Sequence, residues 1–133
     1  DHDSQFRKDF PGGWAGDEKN GFTQQGLSAQ EKDVQDFIRN LLLWRKDKEV
    51  IHTGKLLHFV PFDGLYVFFR YNEKEKIMVV LNKNLQVTLL KTDRLTEMTD
   101  GCHQAKEIIS GKTYNDLTQI SLPAKSISVF ELK

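Results

Sequence analysis

The sequence predicts a mainly β protein: an antiparallel Greek-key β-sandwich that follows an N-terminal loop and one long α-helix. Two observations predict this fold class. Apolar residues recur with a helical period in the region 28–48, and from about residue 54 the period changes to two. Short runs rich in aromatic and β-branched residues then alternate with turn-forming residues, which is typical of a sandwich.

The N-terminal stretch 1–26 combines turn-forming residues with large aromatic side chains. Five glycines and Pro11 exclude a regular ladder of backbone hydrogen bonds. The aromatic residues are Phe6, Phe10, Trp14 and Phe22. Because a disordered tail seldom carries so many aromatic residues, we expect an ordered loop that needs a partner surface.

The stretch 28–48 predicts an amphipathic helix. Ser28 and Glu31 have the spacing of a capping box, which satisfies free amides at a helix start. One apolar face follows, formed by Val34, Phe37, Ile38, Leu41 and Leu42. A face this broad has to dock on something large, and we expect Trp44 to lie in the core between helix and sandwich.

The remaining residues predict about seven short strands. The strand candidates are 56–60, 65–71, 77–81, 85–90, 104–109, 117–122 and 126–132. Turn-like sequences separate them, among them Pro61-Phe62-Asp63-Gly64 and Ser110-Gly111-Lys112. We predict a long loop for 92–103. The predicted organisation is therefore a loop (1–26), a helix (28–48), a link (49–53) and a β-sandwich domain (54–133).

Composition excludes several classes of function. Nineteen basic and nineteen acidic residues cancel, so the chain lacks the positive charge that nucleic-acid and membrane-surface binding require. Cys102 is the only cysteine, which excludes an intrachain disulfide and predicts an inert thiol. His2, His52, His58 and His103 share no metal-ligand spacing, so we predict no metal and no cofactor. The chain opens at Asp1 without an initiator methionine, and we expect further sequence upstream.

Three stretches resemble a known family in the same order. The first is residues 1–14, with the run Arg-Lys-Asp-Phe-Pro-Gly-Gly-Trp. The second is the helical stretch 37–46 with the link at 50–56. The third is 66–82, where the run Met-Val-Val-Leu-Asn-Lys begins at Met78. They resemble glycoside hydrolase family 13, which contains α-amylases, cyclomaltodextrinases and neopullulanases, and are most similar to periplasmic neopullulanases of Bacteroides-type bacteria.

The resemblance implies that residues 1–53 are the tail of a (β/α)8 catalytic barrel and that 54–133 are its C-terminal sandwich. It also implies a parent enzyme that hydrolyses α-1,4 or α-1,6 bonds of starch-derived glucans with retention. Its catalytic Asp, Glu and Asp would lie upstream of Asp1. We therefore predict that this chain has no catalytic residue, supports the barrel as its intramolecular partner, and releases no sugar by itself.

The resemblance also implies a substrate contact in the first loop. Family members often carry an Asp and an Arg four positions apart here, both bonded to hydroxyls of a bound glucose, and Asp3 and Arg7 match that spacing. A carboxylate and a guanidinium form charge-assisted bonds to vicinal hydroxyls. The alternative is an ion pair that only stiffens the loop. Trp14 also has two possible roles. It can stack on a sugar ring, or it can anchor the loop by packing, which is the more common role of a Gly-Gly-Trp sequence.

A second class of function is a stand-alone carbohydrate-binding module. Such a module needs a row of exposed aromatic rings on one sheet face. Tyr66, Phe68 and Arg70 alternate with apolar residues, so this strand has two apolar faces. That pattern favours burial on both sides over an open platform.

Overall fold

The computed structural model describes residues 3, 6 and 7 and residues 9–133. The chain divides into two compact units, one that ends at Leu43 and one that begins at Trp44. The domain boundary after residue 53 stays a prediction. His2 and part of the first resemblance stretch lie outside the described residues.

The long helix α1 spans Ala29–Lys46. The predicted capping box is confirmed, since the Ser28 amide donates to Glu31 Oε2 at 2.8 Å and the Glu31 amide donates to Ser28 Oγ at 3.3 Å. The helix ends two residues before the predicted end. None of its residues is buried, and the exposed apolar side chains are Val34, Phe37, Ile38, Leu42 and Leu43. The apolar face is thus present without a buried contact.

The described part of the second unit contains eight strands and two short helices. The strands are β1 (Lys55–His58), β2 (Leu65–Tyr71), β3 (Lys76–Asn82), β4 (Thr88–Lys91), β5 (Ala105–Glu107), β6 (Thr113–Tyr114), β7 (Gln119–Leu122) and β8 (Ser126–Leu132). The helices are α2 (Glu49–Thr53) and α3 (Thr96–Thr99). All seven predicted strands are confirmed, and β2 and β8 have the predicted bounds.

The sequence missed three short elements, and the prediction of a long loop for 92–103 was wrong. The link 49–53 is helical, because Val50 anchors one turn on the sheet with its side chain fully buried. The stretch 92–103 contains a 3-10 turn (Asp93–Leu95) followed by α3, which place Leu95 and Met98 in the core. Strand β6 was missed because two residues are too short to show alternation.

The predicted antiparallel sandwich is confirmed. The larger sheet has the order β1-β2-β3-β8-β5-β6, and the smaller sheet pairs β4 with β7. The last strand, β8, lies between β3 and β5. Neighbouring strands are therefore not consecutive in sequence, as in a Greek-key arrangement. Side chains of both sheets form the core, including Phe69, Met78 and Phe130 from one and Ile120 and Leu122 from the other.

Strand β2 shows the predicted alternation. Leu65, Val67 and Phe69 are buried in the core, whereas Tyr66 and Phe68 are half-buried on the outer face. On that face a second cluster forms where Val50 of α2 packs with Ile77 of β3 and Val129 of β8. The outer face therefore does not present the open row of aromatic rings that a binding platform would need.

A hydrogen-bonded network holds the start of the second unit on the sheet. Trp44 Nε1 donates to Glu131 Oε1 at 2.7 Å, and Lys48 Nζ lies 2.9 Å from Glu131 Oε1 and 3.0 Å from Glu75 Oε1. Trp44 is half-buried and packs against the cluster of Val50, Ile77 and Val129, so it contacts the sandwich as predicted but lies at the edge of the core. Burial raises the pKa of Glu131, but the bonds from Trp44 and Lys48 outweigh it and leave the pKa below 4.5.

We predict that this network stabilises the fold only within a pH window. The folded pKa of Glu131 is lowered, so its contribution is present above about 4.5 and is lost as the pH falls through the folded pKa. Burial lowers the pKa of Lys48, but its two carboxylate partners raise it above 10.5, so that contribution is lost only as the pH rises through the raised value. The window therefore runs from about pH 4.5 to 10.5.

Urea unfolding of the Glu131→Gln variant tests this window. We expect a loss of about 1 kcal/mol at pH 7, since glutamine keeps an oxygen for Trp44 but loses the ion pair. The difference from the native chain should shrink as the pH falls below 4.5. A difference that is equal at pH 7 and pH 3 would contradict the assignment. Exposed Glu73→Gln is the control.

Candidate functional site

The predicted pair Asp3 and Arg7 lies together in one backbone turn. The amides of Phe6 and Arg7 donate to the Asp3 carbonyl at 3.0 and 3.2 Å. This turn brings Arg7 Nε within 3.1 Å of Asp3 Oδ2, with side chains that are 80% and 71% exposed, respectively. The ion pair that was one alternative is therefore present, and the sugar contact stays a prediction.

The pair has the donors and acceptors that a sugar needs. Arg7 Nε faces Asp3, and a guanidinium carries four further N–H donors. A carboxylate accepts several hydrogen bonds on its two oxygens. Ion pairing and sugar binding are thus compatible, because both groups keep hydrogen-bonding capacity beyond the ion pair.

The loop that follows is a series of hydrogen-bonded turns. Asp17 Oδ2 accepts from the amides of Gly12 at 2.8 Å and Trp14 at 3.2 Å. Asn20 Oδ1 accepts from the amides of Phe22 and Thr23 at 2.9 and 3.0 Å. Short polar side chains thus replace the backbone ladder that the glycines prevent.

The aromatic rings of this loop remain at its surface. Phe10 and Phe22 meet edge to face with their centroids 5.2 Å apart. A Cβ at Gly21 would lie 2.5 Å from the Phe10 ring, so a larger residue there would displace the ring from this position. Trp14 is 69% exposed, so in this chain it is not the packed anchor that the sequence favours.

The loop is tied to α1 by polar side chains of the first unit. Lys19 Nζ lies 2.7 Å from Glu31 Oε1, and with the bonds from Ser28 this lowers the pKa of Glu31 from 4.5 to about 2. Gln24 Nε2 donates to Gln35 Oε1 at 3.0 Å, and Gln35 donates to the carbonyl of Gly21. The helix therefore serves as the scaffold of the loop.

The other residues singled out in the sequence have structural contacts. His52 Nε2 lies 3.2 Å from the Arg45 carbonyl, and the His58 ring lies edge to face with Tyr66. Cys102 Sγ lies 3.8 Å from the Met98 carbonyl. Within the described residues, no group of three or more His, Cys, Asp or Glu side chains is placed to hold a metal ion.

A cleft in the second unit was not predicted as a site. Its cavity volume is about 380 Å³, and it lies between the β1–β2 connection and the segment from β4 to the 3-10 turn. Phe62 forms one side, and Arg94 approaches its ring to 5.1 Å. One sequence feature could have indicated this cleft: the turn Pro61-Phe62-Asp63-Gly64 contains a phenylalanine, although the turn does not require an aromatic residue.

No helix in the described part of the chain has the length and apolar character required to cross a lipid bilayer. This finding concerns only the residues that the structure describes.

The antiparallel sandwich with few helices matches the fold of the C-terminal β-sandwich domain of amylase-type enzymes. The sequence profile of the cyclomaltodextrinase C-terminal domain matches residues 56–131, which is more than half of the chain. The chain therefore belongs to the cyclomaltodextrinase C-terminal domain family.

Solved structures share the fold. A structure of AmyP in complex with maltose has 15% identity and a TM-score of 0.67, over 82% of this chain and 22% of that chain. The trehalulose synthase MutB has 21% identity and a TM-score of 0.61, over 75% and 18%. An Anoxybacillus α-amylase has 16% identity and a TM-score of 0.59, over 82% and 24%. The chain thus spans between 18% and 24% of the length of these proteins.

Proposed function

We propose that this chain is the C-terminal part of an α-amylase-family glycosidase that acts on α-glucans. The carrying observation is the family match over residues 56–131, preceded in order by a long helix and an aromatic, glycine-rich loop. AmyP structures with maltose and maltotriose support an α-glucan as the substrate class. The run Arg-Lys-Asp-Phe-Pro-Gly-Gly-Trp at residues 7–14 further favours a periplasmic neopullulanase of a Bacteroides-type bacterium.

In this proposal the chain supports catalysis and performs none. The catalytic carboxylates would belong to the barrel, and the exposed apolar face of α1 is what a helix of that barrel would bury against its neighbours. Incubating the chain alone with maltoheptaose should release no reducing sugar. Release at a rate that scales with the concentration of the purified chain would contradict this part of the proposal.

We also propose that Asp3 and Arg7 contact the substrate in the full-length enzyme. Each would contribute charge-assisted hydrogen bonds of about 1.5–3 kcal/mol. Replacing Arg7 with methionine should therefore lower kcat/KM for maltooligosaccharides about 10- to 100-fold. Asp3→Asn should lose less, because an amide oxygen still accepts a hydrogen bond.

The matched control is Lys46→Met, an exposed cation in the last turn of α1. It should leave kcat/KM unchanged. Equal thermal stability of the Arg7→Met and native enzymes would separate substrate contact from loop stiffening. A value of kcat/KM within twofold of the native enzyme for both pair variants would refute the contact.

A further inference from the structure

The cleft beside Phe62 has an apolar floor and a fixed aromatic wall. Its floor comes from buried core residues, including Leu65, Val67, Leu90 and Leu95. The volume of about 380 Å³ lies in the range of about 300–1,000 Å³ that small-molecule sites occupy. All the lining residues belong to the second unit.

Phe62 is held in place although it is exposed. The Phe62 amide donates to the Leu65 carbonyl at 3.0 Å, and the Leu65 amide donates back at 2.8 Å. Arg94 places its guanidinium 5.1 Å from the ring centroid and donates from Nη2 to the Val60 carbonyl at 2.8 Å. The ring is 59% exposed, and the backbone bonds and the Arg94 contact position it at the side of the cleft, where a ligand can reach it.

The rim of the cleft carries balanced charge. Asp63 and Asp93 supply acceptors, whereas Lys91 and Arg94 supply donors, and all four are exposed. Their formal charges cancel, so the rim does not select a strongly charged ligand. It fits a neutral molecule with one apolar face and many hydroxyl groups that both donate and accept hydrogen bonds. A pyranose ring has this chemistry.

We propose that this cleft is a binding site for a neutral α-glucan, with Phe62 against the apolar face of a glucose unit and the rim charges on its hydroxyls. The choice of α-glucan rests on the proposed function, whereas the site itself rests on the cleft. This differs from a module with a flat aromatic platform, because the ligand lies at one side of the sandwich and not on a sheet face.

Titration of the 133-residue chain with maltoheptaose, followed by calorimetry or by amide chemical shifts, tests the site. We expect saturable binding with a Kd of about 1 mM. Phe62→Ala should weaken binding about tenfold through loss of the aromatic contact. Asp63→Asn should weaken it severalfold, since Asn accepts the left-handed backbone at this position (φ 49°) and only the charge is removed.

Ile127→Ala is the matched control, because Ile127 is also 59% exposed but lies on β8, outside the cleft. It should bind like the native chain. Binding that the Phe62→Ala variant retains would overturn the proposal, as would no saturation by about 20 mM, twentyfold above the expected Kd. Concentration-dependent dimerisation that Phe62→Ala abolishes, without sugar binding, would assign the cleft to a second copy and overturn it too.

Activity separates this inference from the proposed function. A full-length enzyme that hydrolyses maltooligosaccharides, together with a chain that binds none, would remove the cleft site and leave the proposed function standing. If the chain binds maltoheptaose but the full-length protein has no glycosidase activity, the cleft site stands and the proposed function is refuted.

Discussion

Replacing Phe130 with alanine is expected to lower the free energy of unfolding by about 3–5 kcal/mol. Phe130 is fully buried and lies on β8, where it pairs with Met78 of β3 and with Glu107 of β5. Its ring also meets Tyr114 edge to face, with centroids 5.8 Å apart. The substitution would leave a cavity where both halves of the larger sheet are joined.

Urea unfolding measures this loss. The slope of the unfolding free energy against urea concentration should be unchanged if the folded and unfolded states keep their compactness. The control is Ile127→Ala on the opposite face of the same strand, which should cost less than about 1 kcal/mol. A Phe130→Ala loss no larger than that of the control would contradict the described core.

Replacing Glu107 with alanine is expected to cost about 2–3 kcal/mol, because a buried amide would lose a charged acceptor. Glu107 is 6% exposed, and its carboxylate accepts from the backbone amides of Val129 at 3.1 Å, Ile109 at 3.2 Å and Ser110 at 2.6 Å. Water can replace the acceptor at exposed Ile109 and Ser110, so most of the cost falls on Val129.

Glu107→Gln should lose less than the alanine variant, since one side-chain oxygen remains for the Val129 amide. Hydrogen exchange at that amide supplies a local readout, and we expect faster exchange in Glu107→Ala than in Glu107→Gln. Equal stability of the alanine variant and the native chain would show that the carboxylate does not hold this turn.

Local patterns in the sequence were sufficient to predict the helix start and the strands, because these elements depend on interactions between residues that are close in sequence. The capping box at Ser28 and Glu31 set the start of α1, because its two hydrogen bonds join residues three positions apart. Alternation in β2 and β8 set their bounds and their buried faces, since side chains of a strand point to opposite sides in turn. The short helices within 49–53 and 92–103 were not predicted, because long-range packing of Val50, Leu95 and Met98 stabilises them.

The resemblance to the family singled out Asp3 and Arg7, and the turn at Asp3 brings the two side chains into the ion pair that was the alternative to a sugar contact. The cleft beside Phe62 could not be predicted in this way. It depends on an Arg94 side chain that reaches the Val60 carbonyl 34 positions earlier, and no periodic pattern encodes that contact.

By itself the sequence determined that a capped amphipathic helix precedes an antiparallel sandwich, and it pointed to the family to which the chain belongs. Only the tertiary structure decided which distant groups meet: Trp44 with Glu131, 87 positions apart, and Phe62 with Arg94 at the cleft. The physical reason is that helix caps and strand alternation arise from interactions between near neighbours. A site between loops exists only after the core has folded and placed those loops side by side.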